Sequence, residues 1–368
     1  MIYLDYNATA PLREAAFAAM TDVLRAPGNP SSIHRDGRQA RRRVEEARET
    51  IAAALGAAPN GVIFTSGGTE ANNLALTAFP GRRILASAIE HPSILKGRID
   101  AVVPVDRHGV IDLVALDELL SADKRPSLLA LMLANNETGV IQPVAEAAAL
   151  AHRYGAWVHA DAIQAFGKIP FDMETLGVDS LSLSAHKIGG PQGIGAFVLA
   201  DPDADFQSLL VGGGQERRHR AGTENVAGIV GFGAATADLG DVAMEGARLA
   251  ALRDRIERAA LDALPGITIF SRKVGRLPNT CCVALPGVPA QTLLMSLDLA
   301  GFAISAGSAC SSGKLSPSPV LAAMGETELA TSAIRVSLGW ASTEADVEAF
   351  IGQFVSIAQR LIREHKAA

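Results

Sequence analysis

The sequence predicts an α/β fold, with a large domain on a mostly parallel seven-stranded sheet and a smaller α+β domain beside it. Three observations carry this prediction. Seven short apolar runs follow one another between residues 62 and 200. Helical patterns separate several of them, as continuous apolar strands covered on both faces require. From about Arg253 the pattern changes to a long helical segment followed by further short strands. The expected boundaries are 14–252 for the large domain and 1–13 with 253–368 for the small one.

In chain order, the first strand runs are "VIFT" (62–65), "ILAS" (84–87), "VVPV" (102–105) and "LLALMLA" (128–134). "WVHA" (157–160), "LSLS" (181–184) and "GAFVLA" (195–200) complete the seven. Each is short, apolar and bounded by turn-forming or polar residues, which reads as a buried strand. Val144 to Tyr154 has helical periodicity. A helix is also predicted around "RRR" (41–43), where Val44, Ala47, Ile51 and Leu55 form an apolar stripe. Its arginines read as a solvated face with Glu45, Glu46 and Glu49 nearby. Later come "ITIF", "CCVAL", "AISA" and "AIRVSLG", with a final helix from about Glu344.

Composition narrows the function. The chain has 368 residues, 48% hydrophobic, so it can bury a large core. A formal net charge of -6 argues against general nucleic-acid binding. The opening "MIYLDYNATAPL" has neither the basic start nor the apolar segment of a signal peptide. No uncharged apolar run approaches the roughly 18 residues of a membrane helix. Cys281, Cys282 and Cys310 are too few for a disulfide framework. A cytoplasmic protein without membrane contact is expected. The adjacent Cys281 and Cys282 read as strand packing.

Ligands of open α/β sheets bind at the carboxyl ends of the strands. "SAHK" places Ser184, His186 and Lys187 at one such end. A desolvated lysine amine loses affinity for its proton and can form a Schiff base with an aldehyde. "VHADAIQ" puts Asp161 at another end, with Gln164 following. A carboxylate there can keep a pyridine nitrogen protonated, making the ring an electron sink. "FTSGGTEANN" sets Gly67, Gly68 and Thr69 between a strand and a helix, a phosphate cradle without the Walker pattern. His91 follows a fourth strand, and Asn135 and Asn136 a fifth. Alone, Asp161 reads as a helix cap, His91 as a loop histidine and Asn136 as a turn residue. Their shared position at strand ends points to a pyridoxal phosphate site.

Two features stand apart. "ERRHR" (216–220) follows three glycines and precedes "AGTEN". A basic loop before a helix start can bind an anion or be a solvated surface. Cys310 lies in "SAGSACSSG", with no larger apolar neighbour in that stretch and no metal-ligand partner at close spacing.

These motifs, in this order, resemble the NifS/IscS-type cysteine desulfurases, group I of the class V aminotransferase family. The likeness runs through "YLDYNATAP", "GNPSSIH", "FTSGGTEANN", "EHPS", "NNETG", "HADAIQAFGK", "SAHKIGGPQGIGAF", "GGGQERRHRAGTEN", "LPNT", "SAGSACSSG" and "IRVSLG". It implies the fold type I of pyridoxal-phosphate-dependent transferases. It implies Lys187 as the Schiff-base lysine, Asp161 on the pyridine nitrogen, and Gln164 on the ring hydroxyl. His91 would stack on the ring and move protons. Thr69, Ser184 and His186 would hold the phosphate, with Gly68 supplying backbone. Thr223 would reach the phosphate from the second subunit, which implies a homodimer and a functional basic loop.

Asn136 and Arg335 would hold the substrate, L-cysteine, with the Arg335 guanidinium on its carboxylate. A structural ion pair is the alternative for Arg335. Cys310 thiolate would attack the substrate sulfur and become a persulfide, with His91 as a candidate proton acceptor. A protein acceptor, an iron–sulfur scaffold or a thiolation protein, would then take the sulfur. No intrinsic metal site is expected, although Cys310 is open to transient iron–sulfur ligation with a scaffold. The competing readings are another pyridoxal phosphate lyase or aminotransferase on this fold, and a non-enzymatic docking member.

Overall fold

Seven strands between residues 62 and 199 assemble into one sheet. They are β2 (Val62–Thr65), β3 (Arg83–Ser87), β4 (Ala101–Val103), β5 (Ser127–Met132), β6 (Trp157–Asp161), β7 (Ser180–Ser184) and β8 (Gly195–Leu199), after a short N-terminal β1 (Ile2–Tyr3). The structure is a computed structural model that describes residues 1–306 and 316–367. Cys310 therefore lies outside the described residues.

The sheet order is β2-β8-β7-β6-β5-β3-β4. Pairs from β7 through β6, β5 and β3 to β4 are parallel, while β8 is antiparallel to both β2 and β7. Only β8 is reversed, so the carboxyl ends of the other six strands share one edge. Nearly every residue of these strands is buried, as a sheet covered on both faces demands. Leu129, Leu131, Val158, Leu181 and Leu183 join one large core. Each such side chain contributes about 1.5–3 kcal/mol on burial.

Helices cover the faces. The first three are α1 (Glu14–Leu24), α2 (Arg35–Leu55) and α3 (Gly68–Ala78). In α2 the expected stripe of Val44, Ala47, Ile51 and Leu55 is buried in the large core. Its basic face is paired: Arg41 with Glu45, Arg42 with Glu46, and Arg43 with Asp22 of α1. α2 ends at Gly56 in the left-handed region, φ 64°, where a side chain would be strained.

The remaining strands are β9 (Thr268–Ile269), β10 (Thr280–Ala284), β11 (Phe302–Ala303), β12 (Ser305–Ala306) and β13 (Ala333–Ser337). β12-β13-β10-β9 form an antiparallel sheet. β1 pairs in parallel with β11. A second core gathers Leu4, Leu249, Leu252, Val283, Ile334 and Phe350. The helix Val242–Ala263 supplies Leu249 and Leu252 and runs across the expected boundary at residue 252. Cys281 and Cys282 are buried in β10, and burial pushes both thiols well above their ordinary range. Among the described residues no single helix is long and apolar enough to cross a membrane.

Candidate active site

The strand ends surround a cavity of about 370 Å³ lined by Gly68, Thr69, His91, Asn136, Asp161, Gln164, Ser184, His186, Lys187 and Arg335. Asp161 closes β6 and Ser184 closes β7. A single tight turn, Ala185–Lys187, brings the lysine back over the sheet edge. His91 caps the short helix Pro92–Leu95 beyond β3. At the head of α3, Gly67 has φ 152°. A Cβ on Gly68 would lie 2.1 Å from Ile163 Cδ1. A side chain at Gly68 would require Ile163 to move.

Asp161 is held from behind. Asn72 Nδ2 donates to its Oδ2 at 2.7 Å, and the Ile163 amide to its Oδ1 at 3.0 Å. Burial raises the carboxyl's proton affinity; the two hydrogen bonds and the charges of His91 and Lys187 counter this. Asn72 Nδ2 also donates to Ser93 Oγ at 2.8 Å. Its Oδ1 faces His159 Nε2 at 3.3 Å, so that nitrogen carries the His159 proton. His159 is fully buried, and burial lowers its pKa to about 3. It stays neutral.

The same network reaches His91. Its Nδ1 accepts from the Ser93 amide at 3.1 Å and lies 2.8 Å from Ser93 Oγ. That lone pair is occupied, so the neutral ring bears its proton on Nε2. Burial lowers the imidazole's proton affinity, with Asp161 opposing and Lys187 adding to the effect. In this tautomer the His91 Nε2–H is a donor.

Lys187 Nζ donates to the carbonyls of Asn7 at 2.6 Å and Ala8 at 2.8 Å. Burial, then the charge of Arg335, lowers its pKa to about 8, against Asp5 and Asp161. The amine can therefore gain or lose a proton near neutrality. Burial and the two lysines, Lys187 and Lys168, lower His186 to about 4. His186 Nδ1 meets Thr9 Oγ1 at 3.1 Å.

Arg335 lies in β13 and is buried. Its Nη1 donates to the Asn136 carbonyl at 2.9 Å and its Nη2 to Asp5 Oδ1 at 2.8 Å. The ion pair weighed as an alternative is therefore present. Yet Arg335 Nε is buried with no hydrogen-bond partner among the described residues, and such a donor calls for an acceptor. Thr223 lines a second cavity with Glu216, Arg220 and Glu224, apart from Lys187. Ser305 and Ala306 line the main cavity, and Cys310 follows shortly along the chain.

Residues 2–350 match the aminotransferase class-V family. The chain belongs to this family. It is 41% identical over 378 residues to a cysteine desulfurase IscS of Dictyoglomus turgidum, covering 98% of this chain and 95% of that one. It is 40% identical over 393 residues to an IscS-like cysteine desulfurase of Mycobacterium tuberculosis, covering 100% and 99%. Among solved structures, a NifS-like protein from Rickettsia africae superposes with a TM-score of 0.91 at 37% identity, covering 98% and 99%.

Class-V members depend on pyridoxal phosphate, and so does this enzyme. The cavity fits that group on its own chemistry. It offers a near-neutral amine at Lys187, a buried carboxylate at Asp161, and hydroxyls, a histidine and helix amides at Thr69, Ser184, His186 and Gly68. Asn7, Asn72, Ser93, His159 and Lys168 complete the surrounding network without having been singled out by the sequence. A readable signal existed for Asn72, a polar residue on the Gly68–Ala71–Ala75 buried face of α3.

Proposed function

We propose that this class-V enzyme is a cysteine desulfurase that releases alanine from L-cysteine and keeps the sulfur on Cys310 as a persulfide. The observation that carries the reading is one cavity shared by Lys187, Asp161, His91 and Arg335, with Cys310 four residues along the chain from Ala306 in its wall. An enzyme that only transferred amino groups would have no use for Cys310.

Lys187 would hold the cofactor, with Asp161 serving its ring nitrogen and Gln164 its ring oxygen. Thr69, Ser184, His186 and the Gly68 amide would hold the phosphate. When bound, pyridoxal phosphate supplies an electron sink for charge developing at the substrate Cα. Arg335, with its unpartnered Nε, binds the substrate carboxylate beside Asn136. Lys187 takes the Cα proton, which suits an amine titrating near neutrality. The Asn7 and Ala8 carbonyls then stabilise the ammonium. Cys310 thiolate attacks the substrate sulfur as the carbon–sulfur bond breaks, and the carbon fragment leaves as alanine. Atoms balance: cysteine plus a thiol gives alanine plus a persulfide. His91 Nε2–H serves as a proton donor.

Two domains, 14–252 and 1–13 with 253–368, joined through the helix Val242–Ala263, belong to this reading. So do a cytoplasmic homodimer in which Thr223 completes the partner's phosphate site, and a protein sulfur acceptor. The test is to incubate the purified holoenzyme with L-cysteine and follow alanine. Lys187→Ala should lose the visible absorbance of the bound cofactor and all turnover. Cys310→Ser should keep the absorbance and lose alanine release. Full alanine release from Cys310→Ser would overturn the persulfide route.

A further inference from the structure

Gln164 ends in two groups of opposite polarity, and the one facing the cavity decides what the residue can recognise. Both are fixed. Gln164 Nε2 donates to the Asn7 backbone carbonyl at 2.9 Å, an atom that can only accept. Gln164 Oε1 accepts from Lys168 Nζ at 2.6 Å. Lys168 Nζ also donates to Asn7 Oδ1 at 2.8 Å. Asn7 is itself immobilised. Its Oδ1 takes a second bond from Asn279 Nδ2 at 3.1 Å, and its Nδ2 donates to Thr280 Oγ1 at 2.8 Å. Turning the carboxamide over would set an NH2 against an amine and an oxygen against a carbonyl oxygen.

One Nε2 hydrogen goes to Asn7, and the other remains for the cavity that Gln164 lines. We propose that Lys168 is a positioning residue that locks Gln164 as a hydrogen-bond donor, so that the site recognises the ring oxygen of pyridoxal phosphate in its ionised form. This rests on the cofactor placement given above. Burial, Lys187 and Arg335 push the Lys168 amine well below its ordinary range. The clamp survives that shift, because even a neutral amine has two N–H groups for its two acceptors. Asn7 links the two lysines: its carbonyl receives Lys187 and its side chain receives Lys168.

A donor on the ionised ring oxygen stabilises its negative charge. It thereby weakens the hold of the neighbouring Lys187 nitrogen on its proton. Losing the donor should raise the pH midpoint at which the absorbance of the bound cofactor changes. The experiment titrates that absorbance in holoenzyme of wild type, K168M, K168R, Q164E, Q164A and Q164A/K168M. K168M should raise the midpoint by about one pH unit, the scale of one hydrogen bond to a charged group. Q164E, which cannot donate when ionised, should raise it at least as far. K168R keeps donors only and should stay near wild type.

The double variant should titrate like Q164A alone, because Lys168 acts through Gln164. An unmoved midpoint in K168M would overturn the proposal. So would a K168M shift that persists undiminished in the Q164A background. K168A replaces K168M should the latter not fold. Failure of the cofactor placement itself reads differently: the Lys187→Ala variant would then keep the wild-type spectrum.

Discussion

Replacing Asn72 with alanine isolates the support behind Asp161. Asn72 is fully buried and donates to Asp161 Oδ2 at 2.7 Å and to Ser93 Oγ at 2.8 Å. Its neighbours lose unequally. His159 Nε2 keeps Ser182 Oγ at 3.1 Å, and Ser93 keeps His91. Asp161 Oδ2 loses the Asn72 bond, while Oδ1 keeps the Ile163 amide. A hydrogen bond to a charged group is worth about 1.5–3 kcal/mol. At about 1.4 kcal/mol per pH unit, the Asp161 carboxyl should rise by roughly one to two units.

The sign follows from the chemistry: the lost bond favoured the ionised form, so protonation occurs at higher pH. The acid limb of alanine release from cysteine should move up by about one unit or more. The urea midpoint should fall as well, since a buried group is lost. Asn72→Asp should move the limb further, by setting a second carboxyl beside Asp161. A lowered urea midpoint with an unmoved acid limb in both variants would refute the reasoning. Asn72 would then be a packing residue only.

Two further outcomes follow. Glu216 receives Arg48 Nη1 at 2.8 Å, Arg48 Nη2 at 2.9 Å and the Phe64 amide at 3.0 Å, all buried. It opens a run of left-handed residues, Glu216, Arg217 and Arg218 at φ 43°, 55° and 72°, so this pair holds a strained loop in place. Glu216→Ala should cost about 2–3 kcal/mol in urea unfolding, because Arg48 and the Phe64 amide lose their bonds to it while Arg48 keeps Glu45 at 3.0 Å and the Val62 carbonyl at 2.6 Å; a loss under about 1 kcal/mol would contradict this. Stability should also fall in acid because of His159. Its folded pKa of about 3 lies below the ordinary 6.5, so below 6.5 the unfolded chain binds a proton that the folded chain refuses. At about pH 5 that difference amounts to roughly 2 kcal/mol. Urea titrations should give His159→Gln a shallower fall between about pH 7 and pH 5. Equal slopes would remove His159 from the effect.

The strands of the main sheet were legible because fully buried strands must be apolar throughout. "VIFT" coincides with β2, and "LLALMLA" overran β5 by two residues into the Leu133–Ala134 connection. "VVPV" overran β4, which stops before Pro104, a residue without an N–H to offer a ladder. The reversal of β8 was not legible, since periodicity reports burial and not neighbours. The same limit hid Asn7. It sits in the quoted "YLDYNATAP", but its meaning lies in contacts with Gln164, Lys168, Lys187, Asn279 and Thr280, far along the chain. Lys168 closes the quoted "HADAIQAFGK", and nothing in that string marks its contact with Asn7. Side chains at strand ends were readable because the fold class fixes where strand ends meet. Residues behind them depend on long-range packing, which a local pattern does not encode.

Passage of the sulfur through Cys310 carries the proposed function. Its most direct test is mass spectrometry of the holoenzyme after L-cysteine is added without reductant. The expected result is one added sulfur on the peptide carrying Cys310, removed by a thiol reductant. Cys281 and Cys282, buried in β10 with thiols held protonated, should stay unmodified. Alanine release with the added sulfur on Cys281 or Cys282, or with none on Cys310, would contradict the account.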